Sequence, residues 1–179
     1  MRVRQISSRW NKISGRTPVT EKDRPRKHEL TLGFDPELKA HANLAFIGKL
    51  SSDWSKNNCP KNLTEARASL HAKASVEIEA PYRAGLQGLE VGMKIWLVLW
   101  FDRARRDIIV QAPRHSDSVK GAFALRSPVR PNPISIQAVT ITEIDHSEGY
   151  IGIDATDAFD ATPVLDIKPW REGIDIPPL

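Results

Sequence analysis

The stretch Pro133-Ile134-Ser135-Ile136-Gln137-Ala138-Val139-Thr140-Ile141-Thr142-Glu143-Ile144 carries β-branched residues at 134, 136, 139, 140, 141 and 142. Such side chains are stiff at χ1 and pack well on a pleated surface, so the segment reads as one long β-strand. Elements of the same kind recur on both sides of it. Residues 146–149 make a turn, 150–155 return as a strand, and 163–167 form the last clear strand. Upstream, residues 93–101 are apolar on both faces, the pattern of a strand with neighbours on either side. Residues 107–111 and 123–125 are short strand candidates, and 44–50 look like a first strand. Residues 74–80 alternate, with Val76 and Ile78 on one side and Glu77 and Glu79 on the other, as a half-buried strand does. Helical signal is confined to a turn at 64–68 and a turn or short helix at 85–90. Short strands at near-regular spacing with few helices predict a mainly β fold, a barrel or a sandwich.

The bulk properties narrow the function classes. The 179 residues suffice for one domain and an extension. No apolar run approaches the roughly 20 residues of a membrane helix, and the polar N-terminus lacks the apolar region of a secretory signal. A single cysteine, Cys59, excludes an internal disulfide and fits a reducing, cytoplasmic setting. One Cys and five scattered His offer no zinc spacing, so no metal is expected. No GxGxxG follows a strand and no Walker A sequence is present, which argues against Rossmann and P-loop chemistry. Gly85 and Gly88 read as turn residues, and His115-Ser116-Asp117 as a polar loop. Charge is uneven: residues 1–43 hold ten Lys/Arg against five Asp/Glu, while the chain as a whole carries +4. Pro18, Pro25 and Pro36 punctuate this stretch. It reads as a basic, poorly ordered N-terminal extension, either a solvated tail or an arm for a polyanion, ahead of a domain spanning 44–179.

Two segments carry candidate chemistry. In Gly121-Ala122-Phe123-Ala124-Leu125-Arg126-Ser127-Pro128-Val129-Arg130-Pro131-Asn132-Pro133-Ile134, three prolines fall within six residues. Each proline fixes its own φ and pushes the preceding residue to an extended conformation. A stiff loop results, presenting Arg126, Arg130 and Asn132, and a guanidinium can clamp a carboxylate or phosphate. Solvated arginines on a plain connector are the alternative. The second segment runs from Asp154 through Thr156-Asp157-Ala158-Phe159-Asp160-Ala161-Thr162-Pro163-Val164-Leu165-Asp166-Ile167-Lys168-Pro169-Trp170, with four aspartates in thirteen residues. Such carboxylates suit ribose hydroxyls or an ammonium group, and they equally suit turn caps. Asp166 and Lys168 share a strand face, which favours a structural ion pair.

Together, these segments resemble the two signatures of the TrmO (also TsaA or YaeB) family of S-adenosylmethionine-dependent tRNA methyltransferases. The first is Gly121 to Ile134 and the second Asp160 to Pro169, and the resemblance extends over roughly residues 44–172. It implies a small β-barrel with short helices, a homodimer, S-adenosylmethionine as cofactor, and tRNA as partner. The reaction it implies is N6-methylation of threonylcarbamoyl-adenosine beside the anticodon. The cofactor contacts it implies are Pro60, Lys61, Asn62, Asp102, Arg103, Arg126, Ile136, Thr156, Asp157, Ala158, Phe159 and Asp160. Arg130 and Asn132 are expected at the substrate, and Asp157 or Asp160 is the candidate for taking the N6 proton. A small-molecule acceptor, or cofactor binding without turnover, is the alternative. The chain departs from the family pattern at Asp102 (commonly His), Ser135 (usually Gly) and Ala161 (usually Gly). If position 161 needs a positive φ, Ala strains the turn by about 1 kcal/mol or more.

Overall fold

The structure, a computed structural model, describes residues 25–39, 41–69, 74–112 and 118–178. The elements are β1 (Leu30–Thr31), β2 (Gly48–Ser52), α1 (Leu63–Ala68), β3 (Ala74–Ile78) and β4 (Lys94–Trp100). Then follow β5 (Ile108–Gln111), β6 (Lys120–Gly121), β7 (Ile134–Asp145), β8 (Tyr150–Ile153), β9 (Pro163–Pro169) and α2 (Glu172–Asp175). Single 3-10 segments occupy Pro36–Lys39, Ala80–Leu86 and Ala122–Ala124.

Six strands close into a barrel in the order β2-β3-β8-β7-β4-β9, all neighbours antiparallel. The long strand decides this architecture. Its first half pairs with β4, from Ile134 opposite Trp100 to Thr140 opposite Lys94, and its second half pairs with β8. One strand thereby serves two partners, and β9 closes the ring by pairing with both β2 and β4. Register shifts at Val98/Leu99 and at Ile141/Glu143 supply the local bending that closure needs. A closed ring leaves no barrel edge to pair with another chain.

Period-two alternation fills the interior. Leu50, Val76, Ile78, Ile95, Leu97, Leu99, Val139, Ile141, Ile151, Ile153 and Val164 form one buried cluster. Gln137 falls in the same inward row of β7, 2% exposed, the one polar position among these apolar ones. Gly48 is required where β2 meets β3, because a Cβ there would overlap the Glu77 carbonyl. The β7–β8 turn is tied by the Asp145 carboxylate. It accepts from the Ser147 hydroxyl (2.7 Å), the Ser147 N–H (2.9 Å) and the Glu148 N–H (3.1 Å). These bonds, the Ser147 hydroxyl foremost, hold the Asp145 acid below its ordinary pKa.

A small sheet in the order β1-β5-β6 lies beside the barrel. Residues 30–31 of the N-terminal stretch belong to it, and the Leu32 N–H donates to the Asp107 carbonyl at 2.6 Å. Residues 1–24 and 113–117, the latter including His115-Ser116-Asp117, lie outside the described residues.

The strand expected at 74–80 ends at Ile78, the short helix expected at 85–90 is the 3-10 segment Ala80–Leu86, and two further elements change more. The strand expected at 123–125 is the 3-10 turn Ala122–Ala124. Pairing with β5 is already taken by Lys120 and Gly121, and the turn buries Ala122 while leaving Phe123 79% exposed. The first barrel strand begins at Gly48 rather than 44, with the Ile47 N–H donating to the Val164 carbonyl just ahead of it. Residues 41–46 are all exposed, so nothing pairs them into the ladder. Among the described residues, no helix is long and apolar enough to cross a membrane.

Candidate functional site

The loop between β8 and β9, residues 154–162, is the point where the barrel's segments converge. From β2, the Ser52 hydroxyl donates to the Ala158 carbonyl at 2.9 Å, and the Ser52 N–H donates to Asp160 Oδ1 at 3.0 Å. The Asp160 N–H returns to the Trp54 carbonyl at 2.9 Å. From the turn after β4, Arg103 Nη2 donates to the Asp160 carbonyl at 2.9 Å. From the segment ahead of α1, the Cys59 thiol donates to the Asp157 carbonyl at 3.3 Å. From inside the barrel, Gln137 Nε2 donates to Asp157 Oδ1 at 2.7 Å and the Thr156 hydroxyl donates to Gln137 Oε1 at 2.8 Å. A loop held from so many sides is pre-organised, which reduces the ordering cost of binding.

Of the residues expected at the site, the structure gathers Thr156, Asp157, Ala158, Phe159, Asp160 and Arg103 directly. Pro60 is buried and follows Cys59, whose thiol reaches the loop. Arg126 Nη2 donates to the Ile136 carbonyl at 2.8 Å, which anchors the proline-rich loop on β7. Burial pushes the Asp157 carboxyl above the usual carboxylate range, and the charge of Arg126 acts in the opposite direction. The Cys59 thiol is pushed up to about 11, first by burial and then by the charges of Asp157 and Glu65. It is therefore a protonated donor at neutral pH rather than a nucleophile.

Other expected residues hold local structure. Asn62 is the N-cap of α1, its Oδ1 accepting from the Glu65 N–H at 2.9 Å, while Glu65 Oε2 accepts from the Lys61 N–H at 2.9 Å. This reciprocal pair satisfies backbone donors at the helix start. The Lys61 side chain is exposed. Asp102 is exposed, with its carboxylate 3.8 Å from Arg103 Nε. Arg130 Nη2 donates to the Ala122 carbonyl at 3.1 Å, and Asn132 Oδ1 accepts from Arg106 Nη2 at 3.5 Å. Those two therefore face the small-sheet side, and no bond among the described residues links them to the 154–162 loop. Ile136 points outward on β7 and is 50% exposed. Asp166 and Lys168 form the expected ion pair, 2.6 Å apart and partly exposed.

Beside the loop lies an open cleft of about 470 Å³ lined by Trp54, Ser55, Lys56, Arg103, Phe159, Asp160 and Ala161. Two aromatic side chains, two cations and a carboxylate suit a ligand with a flat ring and charged groups. The sequence gives no sign that Ser52 or Cys59 holds this loop. Gln137 alone had a signal there: a polar residue in register with Val139 and Ile141 on the inward face. Among the described residues, no group of three or more His, Cys, Asp or Glu side chains converges as a metal site would.

Comparison with known proteins places the chain in a family. Residues 50–176 match the tRNA-methyltransferase O N-terminal domain. A probable S-adenosyl-L-methionine-binding protein, VirR, of Rhizobium radiobacter is 33% identical over 154 residues, covering 86% of this chain and 83% of that protein. An S-adenosyl-L-methionine-binding protein of Archaeoglobus fulgidus is 33% identical over 130 residues, covering 72% of this chain and 89% of the relative. The crystal structure of TrmO from Pseudomonas aeruginosa superposes with a TM-score of 0.59 at 28% identity, covering 76% of this chain and 59% of that one. A second relative from Archaeoglobus fulgidus is matched over only 32% of its length, so this chain spans a fraction of some members. With the family domain matched across most of the barrel and the same fold in a solved member, the chain belongs to the tRNA-methyltransferase O family.

Proposed function

We propose that the chain binds S-adenosylmethionine at the 154–162 loop and transfers its methyl group to N6 of threonylcarbamoyl-adenosine in tRNA, beside the anticodon. On this reading it acts in the cytoplasm as a homodimer, with the basic N-terminal stretch available to phosphates. The observation that carries the reading is the loop itself, fixed by bonds from β2, the turn after β4, β7 and the segment before α1. Its residue types fit the cofactor. Asp157 and Asp160 suit an ammonium and ribose hydroxyls, Arg126 suits a carboxylate, and Phe159 and Trp54 offer apolar rings in the cleft beside Asp160. The family relationship and the names of the relatives support the same ligand.

S-adenosylmethionine supplies an electrophilic methyl group on a cationic sulfur. The protein's part is alignment, since an in-line displacement gains most from positioning. Asp157 is the proposed acceptor for the N6 proton. Its burial-raised pKa moves it toward the operating pH, which suits a general base.

The test is isothermal titration of the purified chain with S-adenosylmethionine and S-adenosylhomocysteine. Micromolar or tighter binding of either is expected, and binding of neither overturns the reading. Affinity for tRNA is then expected to fall steeply with salt, as phosphate contacts require. A second reading, a small-molecule acceptor or binding without turnover, draws on Arg130 and Asn132, which are committed to Ala122 and Arg106. Salt-insensitive, weak tRNA binding would favour it.

A further inference from the structure

We infer that Gln137 is a positioning residue for the site, its side-chain amide locked in one orientation by Thr156 so that it presents the Asp157 carboxylate as an acceptor. The inference rests on the reading above for its ligand and on hydrogen bonds alone for its geometry.

A chain of bonds has its direction set at one end. The Ala158 N–H can only donate, and it reaches Thr156 Oγ1 at 3.3 Å. The Thr156 hydroxyl thus has its proton to give, and gives it to Gln137 Oε1 at 2.8 Å. With its oxygen so engaged, Gln137 turns its NH₂ group to Asp157 Oδ1 at 2.7 Å, and the second N–H is 3.5 Å from the Ser135 hydroxyl. An amide donor meeting a carboxylate favours the ionised form and fixes the rotamer. Burial works against that charge. The charged and titratable groups around Asp157 are Arg126 from the proline-rich loop and Cys59 from the segment ahead of α1, with Glu65 of α1 behind the thiol.

The other inward barrel positions are apolar, and a leucine here would leave the Thr156 hydroxyl and Asp157 Oδ1 without this partner. A glutamine, 2% exposed and fully bonded, has instead a use in directing the loop. On the proposed function, it holds one oxygen of Asp157 in place while the carboxylate takes the N6 proton.

The test compares the wild-type chain with Thr156→Val, Thr156→Ser and Gln137→Leu, each checked for folding by its melting transition. The first readout is the carboxyl titration of Asp157 by carbon NMR in the absence of ligand, assigned with Asp157→Asn. We expect Gln137→Leu to raise the Asp157 midpoint by roughly one pH unit and Thr156→Val by less, while Thr156→Ser restores it. The second readout is S-adenosylmethionine affinity by calorimetry, expected to fall about tenfold in Gln137→Leu and to be rescued in Thr156→Ser relative to Thr156→Val. Unchanged midpoints in folded Thr156→Val and Gln137→Leu overturn the inference whatever the ligand. Shifted midpoints with wild-type affinity overturn the positioning role. A wild-type chain that binds no S-adenosylmethionine overturns the proposed function instead, and the midpoints then decide the hydrogen-bond chain by themselves. Thr156→Val is the safeguard should Gln137→Leu fail to fold.

Discussion

The N–H of Ala161 donates to the carbonyl of Leu50 at 2.9 Å while Ala161 itself sits at φ 60°. This bond, with the Leu50 N–H to the Thr162 carbonyl at 2.8 Å, closes β2 onto the end of the site loop. The left-handed backbone is therefore demanded by the barrel closure, and an alanine bears its cost. The strain expected from the sequence at this position is the strain the structure holds.

Replacing Ala161 by glycine should remove that strain. The relief is about 1–2 kcal/mol, offset by the greater freedom glycine has in the unfolded chain, which leaves a net stabilisation of about 0.5–1 kcal/mol. Thermal unfolding of Ala161→Gly is expected to shift up by about 1–4 °C. An unchanged or lowered midpoint would mean that the turn accommodates the Cβ without strain.

Asp157 gives a pH dependence of unusual sign. Its acid is raised in the folded state by burial, so the native chain binds more protons than the unfolded one between the ordinary carboxylate pKa and the raised value. Its contribution is favourable at low pH and is lost as pH rises through that window. Asp157→Asn keeps an oxygen for the Gln137 amide and removes the buried charge. It is expected to be more stable than wild type at neutral pH, to show no such decline, and to bind S-adenosylmethionine more weakly. Denaturant unfolding at a series of pH values checks the first two, and calorimetry checks the third. Equal stability of the two proteins at neutral pH would show that the charge is compensated.

Much of the barrel was legible because its signal is local. The β-branched run at 134–144 and the alternation at 74–80 each carry their period in the side chains, and both became strands. Ion pairing of Asp166 with Lys168 followed from two residues on one strand face. Misplaced segments depended on partners. Phe123 to Leu125 has strand-like composition, but the pairing edge was used by Lys120 and Gly121. Of the candidate site, the aspartate-rich loop at 156–160 stands out in the sequence and its supports do not. Ser52, Cys59 and Gln137 lie 19 to 108 residues from the loop residues they bind, so spacing along the chain says nothing of them. Asn62 illustrates the converse, because a helix cap is a local role that the family resemblance did not disclose.

Arg126 links the proline-rich loop to the site by one bond to the Ile136 carbonyl and by its charge toward Asp157. The guanidinium is exposed, so little packing depends on it. Arg126→Ala is expected to cost less than about 1 kcal/mol of stability. S-adenosylmethionine affinity is expected to fall about tenfold, since a charge-assisted contact is lost. The Asp157 midpoint should rise as the opposing charge is removed. Wild-type affinity in calorimetry, with an unchanged melting transition, would remove Arg126 from the site.

Arg67 is the tie between α1 and the barrel. Its Nε donates to Asp154 Oδ2 at 2.7 Å and its Nη2 to the Ala138 carbonyl at 2.8 Å, while Asp154 Oδ1 accepts from the Thr140 N–H at 2.7 Å. One guanidinium thus spans β7 and the start of the site loop, a geometry that a lysine's single ammonium cannot reproduce. Both side chains are partly solvated, at 45% and 26% exposed, so the ion pair itself is screened. Arg67→Lys keeps the charge and loses the fork, and is expected to destabilise by about 1 kcal/mol, nearly as much as Arg67→Ala. If charge alone mattered, the lysine variant would match wild type. Because α1 follows directly on Pro60 and Asn62, loosening it should also weaken S-adenosylmethionine binding a few-fold. Asp154→Asn retains an acceptor for Thr140 and should lose less than either arginine variant. Combining Arg67→Ala with Asp154→Asn should then cost less than the two separate losses added together, since both remove the same contact.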